Sequence, residues 1–325
     1  MKPATLGKVL VTGAQGFIGH ALCRHLSDLG VPCVGAVRTA RPGDPAGTLT
    51  LGDFAAADWD EALRGVDAIV HLAGRAHVQT PPRGVDASDP TPYVVANVHV
   101  TRRLCDAAAR ANVRRIVLAS SVKVYGESTR EGKPFRAGDP DEPGDAYAYS
   151  KAEAERVLWR ACAQTAFDGV VLRLPLTYGA GVKGNFLMLT EAIAAGRKLP
   201  LAGIANRRSL LNVDSAVSAI HVALTAPALG GQTLPVADAE SVSTSALAER
   251  LGRALGVPAR LYRLPPLLLR SAAEFAGRRR VVSRLLDSLE VDSKRFCDLA
   301  HWSQPFTMDE GLAATAAWWK LRHVL

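Results

Sequence analysis

Tyr147 and Lys151 stand four residues apart in the segment Tyr147-Ala148-Tyr149-Ser150-Lys151. If that segment opens a helix, both side chains share one face. A phenol ordinarily loses its proton near pH 10. A neighbouring ammonium favours the phenolate and draws that value toward working pH. A tyrosine so placed can give a proton to a carbonyl oxygen, or take one from a hydroxyl, while a hydride moves at the same carbon. The spacing alone also occurs on ordinary surface helices. A second source of hydroxyls strengthens it: Ala119-Ser120-Ser121-Val122-Lys123-Val124-Tyr125-Gly126 follows the apolar run Ile116-Val117-Leu118. A hydroxyl at the end of such a strand can hydrogen-bond the reacting oxygen.

Hydride chemistry needs a carrier, and a glycine loop near the start of the chain fits one. Thr12-Gly13-Ala14-Gln15-Gly16-Phe17-Ile18-Gly19 follows an apolar run and precedes a helical pattern. This is the context of a dinucleotide fingerprint, here spaced GxxGxxG. Gly13 permits a tight turn, Gly16 lets the backbone approach a pyrophosphate, and Gly19 lets the helix pack on the sheet. The helix N-terminus offers unpaired N–H groups to the phosphates. Lys151 would then also hold the ribose beside a nicotinamide.

The second strand bears on which dinucleotide is bound. An NAD site usually carries an acid about 20 residues on, bonded to the ribose 2′-hydroxyl. Here Val34-Gly35-Ala36-Val37 ends in Arg38, followed by Thr39 and Arg41, with no Asp or Glu at the strand end. An arginine there suits a 2′-phosphate, so NADP(H) is preferred and NAD(H) is possible. A solvated arginine pair in a loop is the alternative. Asp53, in Leu51-Gly52-Asp53-Phe54, is placed to touch the adenine amino group.

The elements that must position these residues alternate. Strands are expected at Lys8–Val11, Val31–Val37, Thr48–Leu51, Asp67–Leu72, Arg115–Ala119 and Gly169–Leu174. Helices are expected at Phe17–Leu29, Tyr93–Ala111 and Ala146–Ala166. Such alternation predicts an α/β fold with a doubly wound parallel sheet of the Rossmann kind. After about Leu176 glycines and prolines become frequent, and helices are expected at Phe186–Ala195, Asp214–Leu224 and Ser245–Leu255. The expected division is a dinucleotide-binding domain over residues 1–175 and a smaller interleaved α/β lobe over 176–325. Segments near 210–236 are expected to return to the first.

Bulk properties exclude several classes. The chain has 325 residues, 48% hydrophobic and 22% charged, ordinary for a globular protein. No apolar segment is long enough to span a bilayer, and the start reads as a first strand rather than an export signal, so a cytoplasmic protein with no membrane partner is expected. The five cysteines are scattered without CxxC spacing, which suggests neither zinc nor a disulfide framework. The net charge of +8 is spread rather than clustered, apart from Arg278-Arg279-Arg280. Two anionic small ligands account for part of it more simply than nucleic acid.

Together the glycine loop, the strand-end serines and the Tyr147/Lys151 pair resemble the extended short-chain dehydrogenase/reductases, the NAD-dependent epimerase/dehydratase branch. The resemblance runs over nearly the whole chain. It takes in His71-Leu72-Ala73-Gly74, Asn97, Arg173-Leu174-Pro175-Leu176-Thr177-Tyr178-Gly179, Arg207-Arg208-Ser209-Leu210-Leu211-Asn212-Val213-Asp214, Val291–Trp302 and Gly311–Trp319. It implies that Ser121 is the catalytic serine, with Ser120 as second choice, and that Tyr125 and Tyr149 are not the catalytic tyrosine. It implies a cofactor contacted by Gly13, Gln15, Gly16, Phe17, Ile18, Gly19, Leu72, Ala73, Gly74, Ser120 and Pro175 besides Tyr147 and Lys151. It also implies a UDP-sugar substrate, whose phosphates would meet Asn185, Arg208 and, as a further guess, Arg284. Asn185 could equally be the N-cap of the helix that follows it. One of Arg207 and Arg208 is expected to be a surface charge.

The wording Gly181-Val182-Lys183-Gly184-Asn185-Phe186 and Asn206-Arg207-Arg208-Ser209-Leu210 is similar to bacterial enzymes of O-antigen synthesis. Those enzymes reduce UDP-4-keto-6-deoxy-N-acetylhexosamines. With Arg38, the expectation is an NADPH-dependent 4-ketoreductase. A UDP-hexose 4-epimerase is the alternative, and a catalytically inactive regulatory member is a third. A dehydratase is disfavoured because Ser121-Val122-Lys123 holds no acid pair. Family members commonly dimerise through the catalytic helix and the helix before it, so a homodimer is expected.

Overall fold

Val9, Leu10 and Val11 have no exposed surface, and neither have Ala68, Ile69 and Val70. Strands buried on both faces belong to parallel sheets covered by helices on each side. That is the arrangement in the computed structural model, which describes residues 6–45, 47–76, 90–265, 268, 271 and 279–323.

The first half of the chain builds the sheet and its cover: β1 Val9–Thr12, α1 Phe17–Asp28, β2 Cys33–Val37, β3 Leu49–Thr50, α2 Trp59–Ala62, β4 Ala68–His71, α3 Thr91–Tyr93, α4 Val100–Arg110, β5 Arg115–Ser121, α5 Ala146–Gln164 and β6 Asp168–Leu174. β7 Leu176–Tyr178, α6 Gly184–Ala194, β8 Lys198–Leu199, β9 Arg208–Asn212, α7 Val213–Thr225, β10 Gln232–Pro235, β11 Ser241–Val242, α8 Thr244–Leu255 and β12 Arg260–Leu261 follow. The helices Arg279–Leu286, Lys294–Ala300 and Met308–His323 come last.

The main sheet has seven strands in the order β3-β2-β1-β4-β5-β6-β10, and every neighbouring pair is parallel. The protein is thus a Rossmann-like α/β fold. One apolar cluster packs α1, α7 and the helix Lys294–Ala300 on one face of the sheet. Another packs α2, α4 and α5 on the other. The winding reverses between β1 and β4, and such a reversal opens a crevice beyond the carboxyl ends of the two strands.

The remaining elements form a third cluster around Tyr178, Phe186, Leu251 and Leu312, with small sheets β11-β9-β7 and β12-β8. The chain returns to the first sheet through α7 and β10, whereas Arg208–Asn212 lies in the small sheet. Asn212 ends that strand by capping α7, accepting from Asp214 N at 2.8 Å.

The helix expected over Tyr93–Ala111 differs in detail. Between α3 and α4 runs a π-helical stretch, Val94–His99. Such bulges insert a residue and re-aim side chains, often at functional sites. Here the re-aimed residue is Asn97. No described helix is long and apolar enough to cross a membrane. Among the described residues no cluster of His, Cys, Asp or Glu could hold a metal ion.

Candidate active site

The glycine loop occupies the end of β1, at the crevice. Gly13 has φ +72°, and a Cβ there would stand 2.9 Å from Ala73 N. A Cβ at Gly16 would meet Gly13 O at 2.9 Å, and one at Gly19 would meet it at 2.2 Å. Larger residues would therefore break the loop or push α1 off β1. Gly16 is the N-cap of α1 and brings no side chain to the first turn. The cradle suits a pyrophosphate, because an anion can take the N–H groups that no side chain takes. Phe17 and Ile18 turn their side chains into the apolar clusters, and Phe17 also reaches the second lobe.

The other wall of the crevice is Leu72-Ala73-Gly74, after β4. Thr12 Oγ1 accepts from Ala73 N at 3.1 Å and bonds His71 Nδ1 at 2.7 Å. His71 Nε2 lies 3.0 Å from Thr101 Oγ1. Burial, assisted by the charge of Lys151, pushes His71 down to about 3. His71 is thus a neutral bridge between β1, β4 and α4. Asn97 holds the next turn of the same loop: its Oδ1 accepts from Arg75 N at 2.7 Å, and its amide donates to Arg75 O at 3.2 Å and to Ser150 Oγ at 2.8 Å. Ser150 donates to Tyr147 O at 2.7 Å. One buried asparagine therefore ties the loop after β4 to the first turn of α5.

Asp145 caps α5, accepting from Ala148 N at 2.8 Å. This sets the first turn, which carries Tyr147, with Lys151 one turn on. Tyr147 and Ser121 share a hydrogen bond. Burial is the largest influence on the phenol and pushes it up to about 12; Ser121 opposes this, while Asp145 and Tyr93 add to it. Lys151 is pulled down to about 8 by burial, against the pull of Glu155. The expectation that the ammonium would draw the phenol downward is therefore corrected. Desolvation outweighs the Ser121 hydrogen bond, which is the one influence that lowers the phenol. Lys151 Nζ sits at the Leu72–Gly74 wall, 4.0 Å from where a Cβ on Gly74 would stand.

The two serines face opposite ways, as adjacent strand residues must. Ser121 faces Tyr147. Ser120 donates to the carboxylate of Glu155 inside the protein. Arg173 clasps the same carboxylate at 2.6 and 3.1 Å and Asp141 at 2.7 Å, with its guanidinium over the Tyr125 ring. The hydroxyl of Ser120 is thus committed to the core, which leaves Ser121 as the strand-end hydroxyl beside Tyr147. Tyr125 is buried against Phe135, and Tyr149 is 49% exposed. Lys123, in place of an acid, pairs with Asp145 and with Glu127.

The chain belongs to the NAD dependent epimerase/dehydratase family. The family model matches residues 9–237, which hold the whole constellation just described. A UDP-glucose 4-epimerase of Vibrio cholerae is 33% identical over 95% of this chain and 94% of its own length. An undecaprenol-diphosphate-linked N-acetylglucosamine 4-epimerase of Escherichia coli O157:H7 is 25% identical over 94% of this chain and 93% of its own. Among solved structures, MoeE5 with UDP-glucuronic acid and NAD superposes with a TM-score of 0.77 and 25% identity, covering 98% of this chain and 100% of that one. The chain is an enzyme of this superfamily with a nicotinamide cofactor site.

The remaining residues implied by family resemblance sit farther out. Asp53 is exposed and accepts from Ala55 N within its own turn at 3.0 Å. Pro175 is buried just past β6. Asn185 is exposed in the first turn of α6, whose N-cap is Lys183, so it is not the cap. Arg208 is half-buried and donates to Asp287 O at 3.0 Å. Arg207 pairs with Glu290 at 2.8 Å and is the more exposed of the two. Arg284 falls on the helix Arg279–Leu286, but its side chain lies outside the described residues. At the end of β2 Arg38 is exposed. A carboxylate does reach this region from farther along the loop: Asp44 binds the amide of Gln15. Sequence reading missed it, as it missed Glu155, because nothing local marks a partner 29 or 35 residues away.

Proposed function

We propose that this chain is a UDP-hexose 4-epimerase that acts on the C4 hydroxyl through Tyr147, Ser121 and Lys151. The observation that carries the reading is the half-buried Tyr147 phenol, hydrogen-bonded to Ser121 beside the dinucleotide crevice. A bound NAD would supply a nicotinamide ring that can hold the C4 hydride and a positive charge that favours the phenolate. Tyr147 would keep the C4 proton while the carbon is a ketone and return it afterwards. Ser121 would hydrogen-bond the same oxygen, and Lys151 would hold the adjoining ribose. The phenol formed when Tyr147 takes that proton would be the donor in the return step.

Two further observations support this choice. Relatives named as 4-epimerases align over almost the whole chain. The dehydratase alternative lacks its acid pair, since Val122 and Lys123 follow Ser121. Denaturing the purified protein should release about one NAD per chain, and NMR of UDP-glucose or UDP-N-acetylglucosamine should show the C4 epimer without added cofactor. Absence of the epimer from every UDP-hexose tried would reject the reading.

A second reading is favoured by Arg38. Exposed at the end of β2, it is available to a 2′-phosphate, as an NADPH-dependent 4-ketoreductase of a UDP-4-keto-6-deoxy-N-acetylhexosamine in surface-polysaccharide synthesis would need. Net oxidation of NADPH by such a ketone would decide for it. A cytoplasmic location belongs to either reading. So does a homodimer through the outer faces of α5 and of the π-helical stretch that leads into α4, where Tyr149 and Val95 are exposed. Sedimentation analysis tests the dimer.

A further inference from the structure

Gln15 occupies the tip of the glycine loop, between Gly13 and Gly16. Its amide nitrogen donates to Asp44 Oδ2 at 2.8 Å, to Asp44 Oδ1 at 3.1 Å and to Thr39 O at 2.9 Å. Arg41 N donates to the same Asp44 Oδ2 at 2.7 Å, and Asp44 N donates back to Arg41 O at 3.2 Å. Three hydrogen bonds therefore clamp one carboxylate between the end of β1 and the end of β2. In a doubly wound fold, that gap is where the adenosine ribose of a dinucleotide lies and where its 2′ substituent is read.

We propose that Asp44 reads the 2′ position of the cofactor, accepting a hydrogen bond from a 2′-hydroxyl and repelling a 2′-phosphate. The strand-end position where an acid would ordinarily serve holds Arg38 instead. The loop restores the acid by folding back Asp44, with Gln15 as the residue that positions it. A 2′-phosphate would bring a second anion against a carboxylate already fixed by donors that cannot follow it. Arg38 does not reverse this choice, since its exposed guanidinium works in high dielectric, where charge contacts are weak. The inference rests on the family's nicotinamide dinucleotide site and not on which sugar is the substrate. It predicts NAD(H) specificity, which agrees with the epimerase reading and stands against the NADPH-dependent one.

The test is binding, read by calorimetry or tryptophan fluorescence on cofactor-stripped protein, with mass spectrometry of the nucleotide released from protein as purified. Wild type should bind NAD+ at least tenfold tighter than NADP+ and release NAD. Asp44→Asn, which keeps the shape and the Gln15 contact, should weaken NAD+ and strengthen NADP+, moving their ratio about a hundredfold toward NADP+. Gln15→Met should move it the same way by a smaller factor. Tighter binding of NADP+ by wild type, a ratio unchanged within twofold in Asp44→Asn, or loss of NADP+ binding on Arg38→Ala with Asp44→Asn silent would overturn the proposal. No sugar turnover is needed, so failure of the epimerase reading leaves this result standing.

Discussion

The two halves of the site are built differently. In the first lobe the reactive tyrosine and the loop beside it are fixed by their neighbours: Tyr147 by Ser121 and the Asp145 cap, the Leu72–Arg75 backbone by Thr12 and Asn97. In the second lobe the candidate substrate residues stand nearer the surface. Asn185 is exposed, and Arg208 is half-buried, donating to Asp287 O at 3.0 Å. Reacting groups that must meet within tenths of an ångström belong on rigid strand ends and a capped helix, because small misplacements cost large factors in rate. Residues that choose a sugar nucleotide can sit on a surface that closes around it.

If this contrast is right, substitutions in the first lobe should act on kcat and those in the second on KM. The largest effect is expected from Tyr147→Phe, which should lower kcat by about 10²–10⁴-fold with cofactor affinity nearly unchanged. Steady-state kinetics with parallel cofactor titration checks this. Lys151→Met should lower both kcat and cofactor affinity. In wild type, activity that depends on the ammonium should fall as pH rises through about 8, since Lys151 is charged only below that value. That limb should vanish from the pH profile of the variant.

Arg208→Gln should raise KM for a UDP-sugar about tenfold with kcat preserved, whereas Arg207→Gln should change KM less than threefold. Equal effects would remove the distinction between the two arginines. The smallest contrast is between the adjacent serines. Ser121→Ala should reduce kcat at constant stability, and Ser120→Ala should cost about 1–2 kcal/mol of stability with kcat nearly unchanged, as chemical denaturation would measure.

Asp238 sharpens the comparison from the side of stability. It is buried, and desolvation pushes it up to about 6 although Asn212 N and Tyr178 donate to it. Its ordinary value is 3.8, so the folded state binds this proton more tightly than the unfolded chain does. This group's contribution is therefore fully present below about pH 4 and is lost as pH rises through 6. Asp238→Asn should flatten that part of the stability profile.

Much of the first lobe was legible in the residue pattern. Gly13, Gly16 and Gly19 announce a loop whose geometry excludes side chains, and the Tyr147/Lys151 spacing announces a helix face. Both signals are local, so neither depends on knowing the fold. What could not be read is what the fold brings from a distance. Asp44 returns to Gln15, Glu155 and Arg173 take Ser120 out of the chemistry, and Asn97 is aimed by a π-helical turn that no periodicity marks. The depressed Lys151 and raised Tyr147 follow from burial, which is a property of the packed molecule. Asn185 and Arg208 were visible only through family likeness, because an exposed amide or guanidinium carries no local signature of its ligand.

The most direct test of the central claim is to follow the hydrogen at C4. A UDP-hexose deuterated at C4 should give the C4 epimer with deuterium still at C4, a slower rate than the protonated substrate, and no such product from Tyr147→Phe. Loss of the label to solvent, or change at another carbon with C4 untouched, would contradict the account.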